Sequence, residues 1–133
     1  MGAVLRHVAG TVRIVHAVGV VNTKLLACLN MALIDNLETM LRRGQDNALV
    51  RYGLGNEYLK LKEFDKAVEH LAKAVEFDHG YSAAWKSLGK ALASAGRNPE
   101  AIEAYETGVE VAEKKGDVQA VKEMRVFLRR LQK

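Results

Sequence analysis

Residues 48–81, ALVRYGLGNEYLKLKEFDKAVEHLAKAVEFDHGY, and residues 82–115, SAAWKSLGKALASAGRNPEAIEAYETGVEVAEKK, adjoin without a gap and carry one pattern twice. Leu54-Gly55 recurs as Leu88-Gly89, Ala67-Val68-Glu69 as Ala101-Ile102-Glu103, and Val75-Glu76 as Val109-Glu110, every pair 34 residues apart. A fixed period of that length marks a helix–turn–helix unit that cannot bury its apolar face alone and stacks on a copy of itself. The expected fold class is all-α: a short α-solenoid of antiparallel helix pairs.

Working outward, the helix boundaries follow from caps and breakers. Asp46 or Asn47 can cap a helix running to about Leu61, and a turn at Lys62-Glu63 leads to its partner, about Phe64 to Phe77. Asp78-His79-Gly80 breaks the chain. The second copy turns at Ala95-Gly96-Arg97 and restarts with Asn98 as expected N-cap and Pro99 at the first helical position. Upstream, Leu33, Leu37, Met40 and Leu41 share one helical face before the stop signal of Gly44; downstream, Val118, Val121, Met124, Leu128 and Leu131 form one stripe flanked by charges. The organisation expected is a helix at 31–44, repeats at 48–81 and 82–115, and a capping helix at 117–132, about six helices in a domain spanning 31–133.

Trp85, Leu88, Gly89, Leu92, Ala101 and Tyr105 in the second copy, with Leu54, Gly55, Tyr58, Ala67, Leu71 and Ala74 in the first, closely resemble the tetratricopeptide repeat, W-x2-L-G-x2-Y followed by A-x3-F and a small residue. Arg51 departs from the pattern at the place of Trp85. The resemblance implies that Leu54, Gly55, Tyr58, Ala67, Trp85, Leu88, Gly89, Ala101 and Tyr105 are structural, with Gly and Ala where paired helices approach most closely. It also implies a concave groove lined by the first helix of each repeat. Those places hold Leu49, Tyr52, Asn56, Leu59 and Lys60, then Ala83, Lys86, Lys90, Ala93 and Ser94. Leu49, Tyr52, Asn56, Lys60, Lys86 and Lys90 are the candidate peptide-binding residues, three ammonium groups and an amide beside apolar surface, suited to an acidic peptide. The alternative is that the lysines are only solvated. Of the carboxylate clamp used by chaperone-binding members, only Asn56 matches. Tyr52 replaces the first Lys, Ser87 the second Asn, and Asp117 and Val121 stand at the third-repeat places, so no chaperone function carries over.

Composition bounds the remaining classes. With 133 residues, 49% hydrophobic and 27% charged, the chain can bury one sizeable core. Its formal charge of +4 is uneven. Arg6, Arg13 and Lys24 meet no acid before Met31, while the remainder mixes 17 basic with 16 acidic residues, unlike the basic stripe of a nucleic-acid binder. One cysteine, Cys28, excludes an intramolecular disulfide. No phosphate loop, dinucleotide fingerprint or zinc spacing occurs, His7, His16, His70 and His79 lack partners at ligand spacing, and the glutamates of 100–113 read as a solvated face. No catalytic residue, metal or cofactor is expected.

Residues 1–30 differ in character, with seven valines and no acid. An anchor segment is interrupted by His16, Asn22 and Lys24; a lipobox at Leu25-Leu26-Ala27-Cys28 is spoiled by Lys24; an organelle-targeting peptide would be richer in serine. The preferred expectation is a non-repeat segment that is disordered or arises from a start codon assigned too early, with function beginning at Met31. The functional expectation is a non-catalytic, cytoplasmic, bacterial adaptor for a protein or peptide segment, with neither nucleic acid nor membrane as partner. The alternatives are a self-associating structural module, such as a homodimer, or a membrane- or lipid-anchored assembly factor using residues 1–30.

Overall fold

The computed structural model describes Leu25 and residues 28–133, and the expectation about the segment upstream lies almost wholly outside these residues. Six helices and no strand occur among the described residues: α1 (28–42), α2 (Ala48–Lys60), α3 (Phe64–Phe77), α4 (Ser82–Ser94), α5 (Asn98–Lys115) and α6 (Val118–Leu131). Helical structure thus reaches upstream of Met31, through Cys28, whose thiol is exposed.

Each turn is built from local chemistry. The Asn47 side chain accepts from the Val50 amide at 2.9 Å, and Asp117 does the same for Ala120 at 3.2 Å, satisfying amides that a helix start leaves bare. Asn98 departs from expectation. It lies inside α5, Arg97 occupies the cap position, and no side chain caps that helix, although Pro99 stands in the first turn. Four helices close through one left-handed residue: Gly44, Lys62, Gly96 and Gly116 all have positive φ. At each, the following amide reaches back to a carbonyl five residues earlier, as in Gln45 to Met40 and Glu63 to Tyr58, both 2.9 Å. Lys62 is 34 residues before Gly96, yet it carries a side chain at φ 62°, a conformation that glycine adopts without steric cost.

The repeat signature forms the core. Leu54, Ala67, Leu71, Ala74, Ala101 and Met124 have no exposed surface, and Tyr105 keeps 2%. A Cβ at Gly55 would overlap the Leu71 side chain, and one at Gly89 would stand 2.6 Å from Cε1 of Tyr105. The two glycines let each repeat's helices close on a large residue of the second helix. Gly108, whose counterpart is Ala74, serves the next junction, since a Cβ there would meet Sδ of Met124 at 2.6 Å and Cβ of Trp85 at 2.8 Å.

The 34-residue register fails at one junction. Helix α5 has 18 residues where α3 has 14, and α6 starts 36 residues after α4 rather than 34. Counted with that offset, Ala120, Val121, Met124 and Leu128 fall on Ala84, Trp85, Leu88 and Leu92, and all four pack inward, together with Phe127 and Leu131. Residue for residue, α6 is a first helix displaced by two.

Candidate binding groove

Because α2 packs on α4 and α4 on α6, the first helices form one continuous wall. A groove of about 700 Å3 runs along it, lined by Asn56, Glu57, Leu59 and Lys60 of α2, Lys86, Ser87, Lys90 and Ser94 of α4, and Glu123 and Phe127 of α6. Leu33 of α1, Lys62 of the α2–α3 turn and Phe64 at the start of α3 complete the lining.

Of the six residues expected at a binding groove, Asn56, Lys60, Lys86 and Lys90 come together here. Leu49 and Tyr52 do not line it: Leu49 is 69% exposed, and the Tyr52 ring packs on Tyr81 with centroids 4.8 Å apart. The aromatic side chain in the groove is Phe127 instead, together with Phe64. Trp85 lies outside the groove, where its indole donates to the His79 carbonyl at 2.8 Å.

Charges in the groove are partly spent internally. Lys86 Nζ lies 2.7 Å from Glu123 Oε2 and Lys60 Nζ lies 3.1 Å from Glu57 Oε1. The Lys86 bond, aided by Gln119, holds the Glu123 carboxyl below the usual glutamate range. Lys62 and Lys90 are exposed and pair with no acid among the described residues. They leave two free cations in the groove that Asn56 also lines.

Several lining residues were not read from the sequence. With the two-residue offset, the third-repeat clamp places fall on Gln119 and Glu123 rather than Asp117 and Val121; Asp117 caps α6 and Val121 is buried. The available signal was the apolar set at 120, 121, 124 and 128, which repeats 84, 85, 88 and 92 only at a spacing of 36. Glu57 and Lys62 escaped because neither stands at a customary groove position.

A second polar cluster lies apart from the groove, around the residue that replaces the repeat's tryptophan. Arg51 holds Asp46 through two bonds of 2.7 and 2.9 Å and places Nη1 3.0 Å from Nδ1 of buried His70, which stacks on Tyr58. Burial first, and then the Arg51 charge, push the His70 pKa down. A neutral imidazole accepts that guanidinium proton at Nδ1 and carries its own on Nε2. Tyr58 donates to Glu38 of α1 at 2.5 Å, and its own pKa is pushed up to about 12, chiefly by burial and then by that bond. No group of three or more His, Cys, Asp or Glu side chains that could hold a metal ion occurs among the described residues.

The profile described as "Tetratricopeptide repeat" matches residues 52–117. A TPR repeat-containing protein of Pseudomonas aeruginosa is 52% identical over 99 residues, covering 74% of this chain and 94% of its own length. The chain belongs to the tetratricopeptide repeat family. Among solved structures, a Bordetella parapertussis protein determined in solution is similar at 47% identity and a TM-score of 0.66, over 74% of this chain and 86% of that one. The second TPR domain of human RPAP3, solved with an HSP70 peptide, shares the fold at 20% identity and a TM-score of 0.52, over 74% of this chain and 98% of that one. Members of this family are typically non-catalytic protein-interaction modules. No helix among the described residues is long and apolar enough to cross a membrane.

Proposed function

We propose that this chain is a non-catalytic adaptor that holds an acid-bearing peptide or protein segment in the groove across α2, α4 and α6. The observation that carries the reading is the pair of free cations, Lys62 and Lys90, which with Asn56 line a groove whose other lysines are already neutralised. An extended segment would place carboxylates on those ammonium groups and apolar side chains on Leu33, Leu59 and Phe127. That human RPAP3 domain holds a peptide in the same fold, which supports a peptide as the ligand class. The bacterial relative supports action in a bacterial cell, and we place it in the cytoplasm.

The test is binding of fluorescent acidic peptides to the full chain and to Lys90→Glu. Lys90 is exposed, so its reversal leaves the melting temperature nearly unchanged and weakens acidic peptides several-fold. Undiminished binding by the variant would remove the groove from the argument.

Self-association has one observation of its own. Leu29 and Leu33 stand four residues apart on α1 and are 63% and 42% exposed, an apolar pair on one face of that helix. Sedimentation equilibrium of the full chain and of Leu29→Glu decides that reading: a mass that does not change with concentration rejects it.

A further inference from the structure

Glu57 is the one buried acid among the described residues, 6% exposed, and it stands where the second repeat has Ala91. Packing alone does not call for a carboxylate at a place its own copy fills with alanine. Oε1 accepts from Lys60, but Oε2 is buried and has no hydrogen-bond partner. Buried acceptors are rarely left without a donor, because the protein gives up their hydration and receives nothing for it. Glu57 is one of the residues that line the binding groove, and the Lys60 side chain bonded to it is 59% exposed against 9% for Glu57.

We infer that Glu57 makes the groove selective for segments of mixed charge: its carboxylate takes a guanidinium or ammonium group of the bound segment, beside acidic side chains held by Lys60, Lys62 and Lys90. This rests on the groove reading above and adds to it a requirement for a basic side chain. A guanidinium presents parallel donors that match both carboxylate oxygens, so it satisfies Oε2 and displaces Lys60 from Oε1. The released ammonium then joins Lys62 and Lys90 opposite the segment's acids. One internal ion pair becomes two pairs with the ligand. Lys62 fits this account, since it keeps a cation at a left-handed position where the second repeat has Gly96. A purely acidic segment would leave Oε2 without a donor and would bring further negative charge beside Glu57.

The experiment uses the full chain and an array of eight-residue peptides composed of Ala, Leu, Asp and Arg, with affinities of the best binders measured by fluorescence anisotropy. The strongest binders should carry Arg near Asp, and replacing that Arg by Ala in the peptide should weaken binding at least tenfold. Glu57→Gln keeps the shape of the side chain and removes its charge. It should lower affinity for the Arg-bearing peptides about tenfold, and, by freeing Lys60 and removing the negative charge, should not weaken and should if anything strengthen their Ala counterparts. Equal binding of Arg and Ala peptides by the unaltered protein, a comparison that needs no variant to fold, overturns the inference while leaving an acidic groove intact. Binders indifferent to Lys90→Glu overturn the groove reading and this inference together.

Discussion

Replacing Lys62 by glycine should strengthen the fold and weaken the groove in one step. A side chain at φ 62° costs about 1–2 kcal/mol relative to a right-handed conformation, because Cβ crowds the carbonyl. Glycine removes that cost and gives back about 0.4–1 kcal/mol through the greater freedom of the unfolded chain. The balance is a gain of about 0.5–1 kcal/mol, or about 3–6 °C in melting temperature for a folded region of this size. The backbone bonds of the turn, Lys62 N to the Leu59 carbonyl and Glu63 N to the Tyr58 carbonyl, do not involve the side chain and are retained. Loss of the free ammonium should weaken acidic peptides about two- to fivefold, the scale of an exposed charge pair. The assay pairs urea unfolding with peptide anisotropy on the same samples. Lys62→Ala separates the effects, since it removes the cation but keeps Cβ: binding falls and stability stays. The reciprocal Gly96→Lys, where a Cβ meets no atom within 4 Å, should cost about 0.5–1 kcal/mol, backbone strain less the reduced freedom of the unfolded chain. If the glycine variant is no more stable than the parent, the strain argument is wrong.

Three further outcomes follow from the core and the His70 cluster. The lowered His70 pKa means that the unfolded chain binds a proton more readily than the folded one, so this stability is present above the ordinary histidine pKa and declines as pH falls through and below it. Melting between pH 8 and pH 5 should show the decline, and His70→Gln should flatten it; an equal slope in the variant counts against His70 as the source. Gly89→Ala drives a methyl into the Tyr105 ring, an overpacking cost of about 1–3 kcal/mol that outweighs the roughly 1 kcal/mol gain in helix propensity. Adding Tyr105→Leu should make the alanine nearly neutral, as a double-mutant cycle in urea would reveal. Met124→Ala, at a side chain with no exposed surface, should cost about 2–5 kcal/mol, and a loss below 1 kcal/mol would mean that α6 is not docked as described.

The fold could be read because its determinants recur. Gly55 and Gly89 need the same absence of Cβ for the same reason, and two occurrences 34 residues apart turn an unfavourable helix residue into evidence of close packing. The groove was harder to read because its properties come from departures. Glu57 in place of alanine, Lys62 in place of glycine and Arg51 in place of tryptophan each break the pattern that identifies the family. A position inferred from the repeat says where a side chain stands, but not whether a neighbour already neutralises it. The sequence placed Lys86 and Lys90 side by side as equals; the structure pairs one with Glu123 and leaves the other free.

That inequality traces to the length of α5. Two extra residues before α6 correspond to about 200° of helical rotation, so a strict 34-residue count assigns groove positions to the wrong side of the last helix. With the true offset, Glu123 closes the α6 side of the groove as an internal counter-ion for Lys86, while Lys62 in the α2–α3 turn and Lys90 on α4 stay free of acids among the described residues. Reversing the two lysines together would therefore mix two effects. Lys86→Glu sets a carboxylate against Glu123 and disturbs the α4–α6 contact, whereas Lys90→Glu alters only what the groove offers to a ligand. A loss of affinity at position 86 that comes with a lower melting temperature reports on helix docking, and only the loss at position 90 measures recognition.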